Sequence, residues 1–140
     1  MPTRSADAVW KGDLKNGCGT VKVESGAFDS QYSFVSRFET GKGTNPEELI
    51  AAAHAGCYSM ALSNELAKAG HNPESVSTKA EVVLDMSNGP NITTIKLISK
   101  AKVPGIDKDE FMKIANGAKE GCPISKALSS VHIELDIELD

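Results

Sequence analysis

Thr44-Asn45-Pro46-Glu47-Glu48-Leu49-Ile50-Ala51-Ala52-Ala53-His54-Ala55-Gly56-Cys57-Tyr58-Ser59-Met60-Ala61-Leu62 is the stretch on which the fold turns. Asn45 suits a helix cap, Pro46 the first helical position, and Glu47 and Glu48 the positive end of the helix dipole. The spacing predicts a helix to about Ala69, stopped by Gly70, with Pro73 beyond. From Leu49 to Leu62 no side chain is charged, and a helix apolar all round is a buried helix. One chain of 140 residues would struggle to cover it on every side. That predicts an oligomer with this helix near its centre.

The flanking segments read as strands. Val131, Ile133, Leu135, Ile137 and Leu139 alternate with His132, Glu134, Asp136, Glu138 and Asp140, the pattern of a half-buried strand with one wet face. Val76–Met86 alternates too, and so does Ile92–Val103, where Ile95, Leu97, Ser99, Ala101 and Val103 oppose Lys96, Lys100 and Lys102. Ser87-Asn88-Gly89-Pro90-Asn91 between them predicts an antiparallel hairpin. Toward the N-terminus, Val9–Leu14 and Thr20–Glu24 flank a turn at Asn16-Gly17-Cys18-Gly19. Gln31–Phe38 reads as a further strand, with Arg37 and Val35 on the side opposite Tyr32, Phe34 and Phe38. A second helix is expected after Asp107, with Glu110 completing a capping box. Gly121 ends it, and Cys122-Pro123 opens a short helix through Ser130 with Cys122 at its cap. The class is therefore α+β, in a single domain over residues 1–140, without repeats or linkers.

Composition narrows the function classes. Net charge −4 and 5% aromatics oppose a nucleic-acid partner, which would need a basic footprint and a stacking platform. The longest apolar run, Leu49–Ala53, is far short of a membrane span, and the first residues lack the apolar region of a signal peptide. Cys18, Cys57 and Cys122 form no close pair and no disulfide framework. A cytoplasmic protein with reduced thiols is the expectation.

Few side chains are candidates for chemistry. Cys57, mid-helix among small residues, reads by itself as core packing, and burial would raise its pKa. A thiol at a helix N-terminus, as predicted for Cys122, is instead made more acidic and a better leaving group. Cys18 reads as an incidental surface thiol. His54, Cys57, Cys122 and His132 allow a sketch of a zinc site, weakened by the lack of a Cys-x-x-Cys pair and by His132 on the wet face of its strand. A hydrogen-bonded core histidine is the simpler reading of His54. A Cys–His hydrolase lacks an orienting residue. Spacing alone connects neither Arg37 nor Glu47 to Cys57.

The stretch from Arg37-Phe38-Glu39 through Leu62, Val103-Pro104-Gly105-Ile106-Asp107 and Gly121-Cys122-Pro123-Ile124-Ser125 together resemble the osmotically inducible protein C (OsmC) and organic hydroperoxide resistance (Ohr) family, the OsmC branch more than the Ohr branch. The resemblance extends to Trp10-Lys11-Gly12-Asp13 and so over essentially the whole chain. It implies antiparallel sheets wrapped around a buried central helix in an intertwined homodimer. It also implies a thiol-dependent peroxidase for organic hydroperoxides, active in oxidative or osmotic stress defence, without metal, haem or flavin. Cys57 matches the peroxidatic cysteine and Cys122 the resolving cysteine, and Arg37 and Glu47 match the active-site arginine and glutamate. The implied reductant is an external dithiol, of lipoyl type in the family. Cys18 and His54 match no catalytic position. A dimeric module binding a hydrophobic ligand, with inert cysteines, is the rival reading.

Helix geometry adds one expectation. Glu47 and Cys57 are ten residues apart on one predicted helix, so about 15 Å apart along its axis and about 80° around it. A glutamate and an arginine end to end barely close that gap. Two such helices packed antiparallel in a dimer, crossing near Ala52, would instead bring the start of one beside the middle of the other. Glu47 and Arg37 would then serve the Cys57 of the partner.

Overall fold

A computed structural model describes residues 1–140. The chain divides into two compact units, Met1–Leu49 and Ile50–Asp140.

The first unit is a three-stranded antiparallel sheet in the order β1 (Ala6–Lys11), β2 (Cys18–Val23), β3 (Asp29–Tyr32). The turn between β1 and β2 is built by Asp13, whose carboxylate accepts from Asn16 N at 2.7 Å and whose carbonyl accepts from Gly17 N at 2.9 Å. Trp10 and Tyr32 meet edge to face, 5.2 Å between centroids, across Gly19. A Cβ there would lie 2.5 Å from Tyr32 and 2.6 Å from Trp10, so only glycine admits the pair.

The expected strand through Phe38 is corrected here. β3 stops at Tyr32, and α1 (Phe34–Phe38) follows. Ser33 and Ser36 form a reciprocal capping box, each side chain bonding the other's backbone N–H. Phe34 and Phe38, four apart, stack on one helix face at 4.8 Å. Alternating aromatic residues suggested a strand, but the Ser-x-x-Ser cap decides the local structure.

The helix α2 (Pro46–Lys68) is unbroken. Asn45 caps it, accepting from Glu48 N at 2.7 Å. Its C-terminus closes around Gly70 (φ +88°): Gly70 N donates to Ala67 O at 3.0 Å and His71 N to Leu66 O at 2.9 Å.

The second unit carries the core. Its sheet has the order β4 (Ser75–Asp85), β5 (Asn91–Lys102), β6 (His132–Leu139). β4 and β5 are the expected antiparallel hairpin, but β6 runs parallel to β5. An entirely antiparallel sheet is thus corrected. The crossover α3 (Lys108–Gly121) and α4 (Pro123–Ala127) returns the chain to the starting end of β5, which a parallel partner requires. Register aligns Ala80, Leu97 and Leu135 on one face, with Val82, Ile95 and Ile133 beside them, while Glu81, Lys96 and Glu134 share the other. Tyr58, Leu62 and Leu66 of α2 join Ile95, Leu97, Ala101, Phe111 and Ala115 in one core cluster.

Two further expectations change in detail. Asp107 caps α3 through Asp109 N and Glu110 N, but the Glu110 side chain meets His71 instead of closing a capping box. The last helix ends at Ala127 instead of Ser130. Within one chain α2 is also not covered all round: His54, Tyr58, Leu62 and Leu66 are fully buried, whereas Ala52, Ala53, Gly56 and Met60 are exposed.

Candidate active site

The first unit assembles an arginine–glutamate pair. Ser36 Oγ donates to Thr44 O at 2.7 Å and Asn45 Nδ2 to Ser36 O at 2.9 Å, stapling α1 to the start of α2. That brings Arg37, in the last turn of α1, to Glu47 in the first turn of α2. Nε and Nη2 donate to the two carboxylate oxygens, each at 3.1 Å. Glu47 is buried and the Arg37 guanidinium also stacks 5.3 Å over the Phe38 ring. The fork geometry fixes the plane of the guanidinium, which a lysine could not reproduce.

The second unit assembles the thiols. Cys57 stands mid-helix on α2, and Cys122 is the residue joining α3 to α4. Their sulfurs lie 3.0 Å apart, both reduced. A spacing of 65 residues in sequence gives no measure of this contact. Cys57 is half-buried, whereas Cys122 is fully buried. An apolar cavity of about 750 Å³ opens on Cys57, walled by Ala53, Met60, Ala61, Ala118 and Ile124, with Glu65 among its lining.

The two thiols differ in acidity for identifiable reasons. Burial pushes the Cys57 thiol up, and its hydrogen bond with Cys122 pushes it further, against the backbone N–H of Ile124. Burial opposes ionisation of Cys122 as well. There the Cys57 thiol, the N–H and hydroxyl of Ser125 and the Ile124 N–H outweigh burial and bring the thiol below its ordinary value. The backbone groups act at the first turn of α4 without making a side-chain capping hydrogen bond. Cys122 is therefore the more acidic of the two thiols. Tyr58 stays neutral: burial first, then the Cys122 charge, push its phenol far up, and its O–H donates to Ala115 O at 2.9 Å.

The remaining candidates fall elsewhere. Cys18 is exposed on β2, beside a smaller hollow lined by Lys11, Lys42 and Tyr32. His132 pairs with Glu134 on the wet side of β6. His54 is the hydrogen-bonded core histidine expected, its Nε2 2.7 Å from Ser125 Oγ. Within one chain the members of the zinc sketch do not gather as a ligand set. Sequence reasoning missed Ser125. Its signal was the position three residues after a capping Cys122, from which a side chain turns back toward the cap.

Two thiols in contact, one buried and acidic, the other opening on an apolar cavity, are the elements of a dithiol–disulfide couple on an α+β scaffold. The chain belongs to the OsmC family: the family model described as OsmC-like protein matches residues 39–138. It is 51% identical over 138 residues to the peroxiredoxin OsmC of Escherichia coli, covering 97% of this chain and 96% of that one. It is 27% identical to the organic hydroperoxide resistance protein OhrB of Bacillus subtilis, over 86% of this chain and 89% of the relative. Among solved structures, an OsmC-like protein of unknown function from Vibrio cholerae superposes with TM-score 0.76 at 20% identity, covering 98% of this chain and 99% of the other. The crystal structure of B. subtilis OhrB gives 0.65 at 24%, covering 97% and 98%. The α+β fold of the OsmC and Ohr proteins, expected from the resemblance, is thus the fold observed.

Proposed function

We propose that this chain is a thiol-dependent peroxidase that reduces organic hydroperoxides to alcohols. The observation that carries the reading is the 3.0 Å contact between Cys57 and Cys122 at the apolar cavity. The Cys57 thiolate attacks the outer oxygen of ROOH; the O–O bond breaks, RO⁻ leaves and takes up a proton, and Cys57 becomes a sulfenic acid. The Cys122 thiolate then attacks the Cys57 sulfur, and hydroxide leaves as water after protonation, closing a disulfide. A dithiol, of lipoyl type in the reading from resemblance, gives two electrons and two protons and is itself oxidised to a disulfide. The apolar cavity favours organic peroxides, because each buried CH₂ contributes about 0.8 kcal/mol.

Cys57 needs a cation to ionise, since burial opposes its thiolate. In this proposal Arg37 supplies it, held by Glu47, and both belong to the partner of a homodimer. The exposed face Ala52, Ala53, Gly56 and Met60, with Met60 76% exposed, suits a second copy of α2. Residues 1–140 act as one OsmC-like domain, in the cytoplasm, on stress-derived peroxides. No helix is long and apolar enough to cross a membrane.

Thiol counting tests the reading. One equivalent of an organic hydroperoxide should remove two thiols per chain, and a dithiol should restore them. The rival hydrophobic-ligand module would lose none; an acidic Cys122 in contact with Cys57 is not what inert core cysteines would look like.

A further inference from the structure

His54 is fully buried, and its Nδ1 has no hydrogen-bond partner. Its side-chain hydrogen-bond partner is Ser125 Oγ, 2.7 Å from Nε2. An unpaired N–H in a core is rarer than an unpaired acceptor. Burial also keeps the ring neutral by holding its pKa below the ordinary histidine value. The neutral tautomer consistent with both facts carries its proton on Nε2. Nε2–H then donates to Ser125 Oγ, and the serine's own hydrogen is left free for another acceptor. Ser125 stands three residues after Cys122 in the first turn of α4, the position whose side chain faces back to the cap.

We propose that His54 is a positioning residue: by donating from Nε2 to Ser125 Oγ it turns the serine hydroxyl hydrogen toward Cys122 Sγ and so readies that sulfur as the leaving thiolate of the disulfide. The order follows from access. An external thiolate can reach the sulfur of half-buried Cys57 from the cavity, whereas Cys122 is fully buried. Attack on Cys57 forms the mixed disulfide, breaks the Cys57–Cys122 bond and expels Cys122 as a thiolate, and the more stable the thiolate the faster it leaves. The second reductant thiol then attacks the mixed disulfide and frees Cys57. The reductive role rests on the peroxidase reading; the effect on Cys122 ionisation does not.

Titration of thiolate absorbance tests this in a Cys18→Ser, Cys57→Ser chain, where Cys122 is the remaining thiol. The titratable group facing it in that chain is Tyr58 from α2, with His54 behind Ser125; no lysine, arginine or carboxylate contributes to its shift. Ser125→Ala and His54→Leu should each move the midpoint upward, while Ser125→Thr, which keeps the hydroxyl, should hold it. Nitrogen NMR of His54 should find the proton on Nε2. An unmoved midpoint in both folded variants, or a proton on Nδ1, would overturn the proposal. A merely structural histidine would change the melting temperature and leave the titration alone. With the wild-type cysteines, His54→Leu should slow reduction of the preformed disulfide severalfold. If the midpoints move but hydroperoxide consumes no thiols, the positioning role stands and the peroxidase reading falls.

Discussion

Arg37 and Glu47 are joined by two parallel hydrogen bonds of 3.1 Å within one chain, the carboxylate buried and the guanidinium partly exposed. Such a fork orients the guanidinium as well as charging it. Arg37→Lys keeps the charge and loses the fork, so the rate of Cys57 oxidation by an organic hydroperoxide should fall on the order of 10²-fold, as for a misplaced group near a reacting centre. Arg37→Ala should in addition destabilise the fold by about 1–2 kcal/mol, because the buried Glu47 loses both hydrogen bonds of the fork, discounted for the exposure of the arginine. Stopped-flow oxidation and denaturant titration measure the two effects. A Lys variant at full rate would remove the orienting role.

The cysteines should separate cleanly. Cys57→Ser should abolish hydroperoxide reduction. Cys122→Ser should complete one turnover and stall with sulfenic or over-oxidised Cys57, detectable by mass spectrometry. Cys18→Ser, on the exposed strand β2, should leave turnover essentially unchanged. Steady dithiol-driven turnover in Cys57→Ser would reverse the assignment of the attacking thiol.

Acid should weaken the fold through His54. Its folded pKa is held below the usual 6.5 by burial, so the unfolded chain takes up this proton first as pH falls. Stability from this group is fully present above 6.5 and is lost below it, down to the folded pKa, with a slope of at most about 1.4 kcal/mol per pH unit. Thermal melts between pH 7.5 and about 4.5 should show the decline, and His54→Leu should flatten the part beginning near 6.5. An unchanged slope in that variant would place the acid sensitivity elsewhere.

Much of this was legible in the residues, and the gaps have physical causes. Asn45, Pro46 and Gly70 delimit α2 because capping and left-handed backbone are local requirements. The alternation of β5 and β6 survives because one face must be buried. Parallel pairing of β5 with β6 was not legible, since alternation is the same in either direction and the crossover decides it. The strand reading of Phe34–Phe38 failed because aromatic periodicity was weighed above the two serines that cap a helix there. The acidity of Cys122 followed from its place before Pro123, but its contact with Cys57 joins segments 65 residues apart in the chain, and only tertiary packing creates it.

Whether each Cys57 is served by the partner's Arg37 and Glu47 is open to a direct test. The expectation requires a continuous helix from Glu47 to Cys57, and α2 is unbroken from Pro46 to Lys68. The proposal rests on the rise of about 15 Å that ten residues of an ideal helix span. Ala51, Ala52, Ala53, Ala55 and Gly56 are small enough for two copies of α2 to cross closely near Ala52. Mixing Cys57→Ser chains with Arg37→Ala chains, each inactive alone, should then produce heterodimers with one intact site. That site pairs the Cys57 of the Arg37→Ala chain with the Arg37 of the Cys57→Ser chain. With subunits exchanged to a statistical mixture, half the dimers are mixed and each has one of two sites, so activity should recover to about a quarter of wild type. Native mass spectrometry verifies the mixing. Verified heterodimers without activity would place Arg37 and Glu47 beside the Cys57 of their own chain, and a folded monomer at micromolar concentration in sedimentation would remove the shared site altogether.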